Sequence, residues 1–75
     1  MKPEGGWGLG AAALGFVTLF AFPPGLALFL NLASGIIVYG LISESSETSD
    51  ENTKVALYLG FAMNVISGIY NAFLL

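Results

Sequence analysis

Apolar positions run almost unbroken over three stretches, Trp7 to Phe22, Gly25 to Ile42 and Val55 to Leu75. Two interruptions separate them: Pro23-Pro24-Gly25, and the hydrophilic stretch Ser43–Lys54, read SESSETSDENTK. The runs are too long for strands and lack strict alternation, so the pattern predicts three helices, 7–22, 25–42 and 55–75. At 1.5 Å per residue the first is about 24 Å long, short of a hydrocarbon core of roughly 30 Å, and the third is about 31 Å. Unbroken, Trp7 to Ile42 would form one helix of about 54 Å, too long to cross a bilayer upright. Pro24 pushes Pro23 out of the helical region, Pro23 does the same to Phe22, and neither donates a backbone hydrogen bond. A kink or a tight turn is expected at Pro23, Pro24 and Gly25, and in a turn Pro24 suits the first position of the next helix. The expected fold is all-α: one domain over 1–75, a membrane-type helical hairpin (helices two and three about loop 43–54) preceded by a shorter apolar helix.

The polar residues inside these runs carry the most information. Asn-x-x-Ser-Gly-Ile occurs twice, at Asn31, Ser34 and Gly35 and again at Asn64, Ser67 and Gly68. Two short apolar helices can share such a pattern by coincidence, so it is weak support for a duplication. An amide deep in an apolar phase without partners costs several kcal/mol. Asn31 and Asn64 are therefore expected to hydrogen-bond across helices, either within the hairpin or between subunits. Gly60, Asn64, Ser67, Gly68 and Asn71 form a small and polar stripe on the last helix. Gly8, Ala11, Gly15 and Thr18 form a small-residue face on the first, where backbones can approach closely. Gly35, Gly68, Ser34, Ser67, Asn31, Asn64 and Gly60 are the expected seam for helix packing or for contacts between copies. Trp7 falls at a polar boundary, where an indole keeps its N–H hydrated.

Composition narrows the class. The chain is 56% hydrophobic and 9% charged, against roughly 25% charged residues in soluble domains, which points to lipid or a lipid-like packed assembly. There is no Cys and no His, so no disulfide framework, thiolate metal site or nucleophile–base pair can be built. No catalytic residue, metal ligand or enzyme activity is expected. The net charge of −3 is local: Glu44, Glu47, Asp50 and Glu51 share one stretch with Lys54, which reads as a solvated loop or lumen lining. It lacks the spacing of an EF-hand. Asp50 or Thr53 is positioned to cap the last helix, and Glu51 to complement its dipole. With Lys2 and Lys54 as the only cations, direct sequence-specific nucleic-acid binding is not expected. A rotor-ring role in ion translocation needs a titrating carboxylate in mid-membrane, and the two long helices offer only Asn31 and Asn64. The apolar run extends well past a signal-peptide core, so the N-terminus is expected to be retained.

In architecture the chain resembles the small pilins of conjugative, type IV secretion-related filaments, including the archaeal DNA-import pilins. The matching features are the first helix Trp7–Phe22, the FPPG break, the Gly/Ala-rich helix Gly25–Ile42, the loop Ser43–Lys54 and the last helix Val55–Leu75. The resemblance implies a non-enzymatic subunit, stored in the membrane, extracted by secretion or assembly machinery, and stacked with copies of itself and bound phospholipid into an extracellular filament. The polar loop would line its lumen. The acidic loop departs from the shorter and often basic loops of the bacterial members, and the expected retained N-terminus departs from their long signal sequence. Two other readings fit the same composition: a small accessory subunit of a photosynthetic or respiratory membrane complex, and a helical-hairpin coat protein of a lipid-containing virus.

Overall fold

The computed structural model describes residues 2–45 and 50–75, with the side chain of Ser45 excepted. Among these residues there are three helices, α1 (Pro3–Val17), α2 (Pro24–Ser45) and α3 (Glu51–Leu74). They form a rod measuring 39 × 17 × 14 Å. α2 runs antiparallel to α3: Gly25 lies beside Leu75, Asn31 beside Gly68, and the Tyr39 ring 6.1 Å from that of Phe61. α1 runs parallel to α3, with Gly8 against Ala56, Gly15 against Met63 and Thr18 against Ser67.

Helix ends differ from the expected boundaries, and each difference has a local cause. α1 starts at Pro3 rather than residue 7, because a proline is preorganised for the first helical position. It ends at Val17, five residues before Phe22. There the Thr18 hydroxyl donates to the Gly15 carbonyl (2.9 Å). The Leu19 and Phe20 amides reach back three residues, to Phe16 and Val17, in a tightened last turn. The Pro23-Pro24 break is a turn, not a kink, and α2 begins at Pro24. α2 continues to Ser45, three residues past Ile42.

α3 begins at Glu51, four residues before Val55. Asp50 is its cap and accepts from the Thr53 amide (3.2 Å) and from the Thr53 hydroxyl. The bond from the hydroxyl holds the Asp50 carboxyl below its ordinary range. The expected loop 43–54 thus contributes helix at both ends.

The packing is inverted relative to a bundle in water. Few large apolar side chains are fully buried, chiefly Val38 and Leu57, beside Ala11 and near Leu41, Ile42 and Phe61. The rest of the interior is small or polar: Gly5, Gly8 and Gly15 of α1, Ala27 of α2, Gly60 of α3, and Thr18, Asn31, Asn64, Ser67 and Asn71. Phe20, Phe29, Ile36, Tyr39 and Phe73 face outward, each more than half exposed. Their outward projection matches helices that meet mostly through small and polar residues, the pattern of helix association in an apolar solvent. α2 and α3 are both long and apolar enough to cross a membrane, by length and composition.

Candidate functional site

Two sets of residues dominate the interior and its surface openings: a hydrogen-bonded cluster joining all three helices, and two apolar grooves beside it. The cluster is built around Thr18, where α1 ends. Its hydroxyl donates to the Gly15 carbonyl, so the same oxygen acts as acceptor for Ser67 Oγ (2.8 Å) and Asn31 Nδ2 (2.9 Å). That fixes Ser67 as the donor of its pair. Asn31 Nδ2 spends its second hydrogen on Asn64 Oδ1 at 3.2 Å. Asn64 Nδ2 donates to the carbonyls of Ala11 (2.9 Å) and Gly60 (2.8 Å). Asn71 Nδ2 donates to the carbonyls of Thr18 (3.0 Å) and Ser67 (2.8 Å).

All five side chains are at least 97% buried. Their bonds satisfy groups that would each cost about 1–3 kcal/mol if buried alone, and they join helices far apart in sequence. None of the five titrates. The cluster ties the three helices together.

At the α1–α3 seam glycines bring backbone against backbone. A Cβ added at Gly8 would overlap the Ala56 carbonyl, and one at Gly60 would overlap the Gly8 carbonyl and lie 3.1 Å from Ala11 Cβ. One at Gly15 would fall 2.9 Å from the Met63 backbone. Glycine is required here for backbone contact.

The other expected seam residues separate. Asn31 and Asn64 meet within the chain. Ser67 and Gly60 face α1 and are buried. Gly35 and Gly68 face a groove between α2 and α3 of about 480 Å³, and Ser34 faces a second groove, between α1 and α2, of about 620 Å³. Neither glycine is crowded: a Cβ at Gly35 would meet nothing within 4 Å, and one at Gly68 would make ordinary contact at 3.6 Å with Asn31. The turn residues Pro23 and Gly25 are exposed and Pro24 half-buried. Glu44, Asp50 and Glu51 are exposed and Lys54 half-buried, while Glu47 lies outside the described residues.

The α2–α3 groove has an order that the sequence repeat explains. Leu28 and Phe61, Asn31 and Asn64, Leu32 and Val65, Gly35 and Gly68, Ile36 and Ile69, Tyr39 and Ala72 all line it, each pair at the 33-residue offset of the two motifs. On antiparallel helices such pairing gives the groove an approximate two-fold axis near the Asn31–Asn64 bond. The axis does not extend to the whole molecule, because α1 covers Ser67 but leaves Ser34 on a groove wall.

Sequence reading placed Thr18 and Asn71 on small and polar stripes but missed their place in the cluster. It placed Gly8 and Gly15 on a small-residue face but left them out of the expected seam. The available signal was that Gly8, Ala11, Gly15 and Thr18 on one helix and Gly60, Asn64, Ser67 and Asn71 on another each form a stripe of small or polar residues at three- and four-residue steps. Compared with known proteins, the chain matches no family model, no curated protein and no solved structure.

Proposed function

We propose that this chain is a non-enzymatic structural subunit that resides in a membrane and packs with copies of itself and with phospholipid into a helical filament of the conjugative, DNA-transfer type. The observation that carries the reading is the inverted packing: a glycine-lined, internally hydrogen-bonded interior under a surface of large apolar side chains. Such a surface calls for lipid or sister subunits over nearly its whole extent. The α2–α3 groove supplies the contact face. Its floor carries the uncrowded Gly35 and Gly68, where a neighbouring helix or acyl chain can approach closely. The filament form rests on the architectural resemblance of helix, break, helix, acidic stretch and helix to the small pilins.

The test combines negative-stain microscopy of material sheared from expressing cells with mass spectrometry of the pellet. Thin filaments dominated by this chain and phospholipid are expected. Gly68→Leu and Gly35→Leu fill the groove without touching the α1–α3 seam, so both variants should insert and fold normally yet form no filaments. Normal filaments from both would sink the groove as the contact face. Retention in the membrane with larger polypeptides would replace the filament reading with that of an accessory subunit.

A further inference from the structure

The charged side chains of the described residues all lie at one end of the rod. Lys2 and Glu4 start α1, Glu44 ends α2, and Asp50, Glu51 and Lys54 surround the start of α3. The Lys2 amide donates to Thr53 Oγ1 (2.9 Å), which sets the start of α1 level with the start of α3. From that end two charge-free segments of equal length depart, Pro24–Ser43 and Val55–Leu74, twenty residues each. Both are about 30 Å long, the thickness of a hydrocarbon core. They finish together, since Gly25 lies beside Leu75.

The opposite end is Leu19, Phe20, Ala21, Phe22 and Pro23 with Phe73, Leu74 and Leu75, and it bears no charged side chain. The amides of Leu19, Phe20 and Ala21 are bonded within the turn, Pro23 and Pro24 have none, and Asn71 holds the Thr18 carbonyl. The turn therefore exposes few unmet donors to an apolar boundary.

We propose, resting on the membrane reading above, that the chain occupies one bilayer in a single sense with α1 as a third span. Lys2 and the Asp50 region lie in water on one face, and the 18–23 turn and Leu75 reach the other. The occupant of the exposed apolar sides is the bilayer hydrocarbon, because the charge-free length matches it on both long helices and the charged side chains of the described residues lie beyond one edge. This departs from a two-span hairpin with α1 lying along the surface, in which Lys2 and the turn would share a face.

The chain contains no Cys, so single-cysteine variants report cleanly. Lys2→Cys, Ala21→Cys and Asn52→Cys would be expressed in cells and treated, as intact spheroplasts and after disruption, with a membrane-impermeant maleimide. The expected result is one shared labelling state for Lys2→Cys and Asn52→Cys. Ala21→Cys should label only from the opposite face or only after solubilisation. The topology is overturned if Lys2→Cys and Asn52→Cys label from opposite faces, if Ala21→Cys labels from the face of Asn52→Cys, or if any site labels equally from both. A chain left in the supernatant after ultracentrifugation would instead refute the membrane reading itself.

Discussion

The two faces of α3 hold their neighbours by different means. Toward α1 it offers Ala56, Gly60 and Met63, and the helices touch backbone to backbone through Gly8 and Gly15. Toward α2 it offers Asn64 and Gly68, and contact is made by side chains, with a groove left open beside them. A glycine therefore has opposite meanings on the two faces. At Gly60 the missing side chain is a condition of the fold, and at Gly68 it leaves a groove open.

The sharpest way to break this contrast is Gly60→Leu. A side chain there displaces the Gly8 carbonyl and Ala11, and α1 has to leave α3. We expect a loss of ~3 kcal/mol or more, the upper end of overpacking costs, read in detergent by denaturant titration of far-UV circular dichroism. Gly68→Leu, measured alongside, should stay near the parent stability. Equal losses in the two variants would mean that the faces do not differ.

The next effect belongs to the cluster between the faces. Asn64→Leu removes the acceptor for Asn31 and leaves the Ala11 carbonyl unbonded by a side chain. A loss of about 1–2 kcal/mol is expected in the same titration, more than the ~0.6 kcal/mol average of single interhelical bonds in membranes because several bonds are removed together.

The smallest effect lies at the charged end. Thr53 donates to Asp50, so the folded carboxyl titrates below its unfolded value of about 3.9. Its contribution is then fully present above that value and is lost as the pH falls through the lower folded one. Parent protein should lose a little stability on acidification below pH 4, and Asp50→Asn should flatten that dependence without affecting the cluster. An unchanged acid response in Asp50→Asn would remove Asp50 as its source.

The existence and order of the helices were legible because apolar runs of this length leave little alternative. Their ends were not. Asn52 and Thr53 read as loop by polarity, yet a helix start tolerates such residues when Asp50 caps it. Ser43 and Glu44 extend α2 because a helix can run on past the apolar region and project polar side chains outward. The Asn31–Asn64 bond was one of two anticipated arrangements, since buried amides need partners and the motifs are alike.

The different fates of Ser34 and Ser67 could not be read from identical motifs. They depend on which side of the α2–α3 pair α1 folds against, and that is decided by the match between Gly8–Gly15 and Gly60–Met63. This is a property of two segments compared with each other and of neither alone.

The concentration of charge at one end has an electrical consequence. In a bilayer oriented as proposed, none of the described charged side chains lies within the drop of the transmembrane potential, where each elementary charge carried across would exchange about 2.3 kcal/mol per 100 mV. The buried cluster is neutral and offers the field only amide and hydroxyl dipoles. Movement of the rod toward its charged end would draw these side chains further into water and none of them through the field. Membrane voltage would then act on none of these side chains as the subunit leaves.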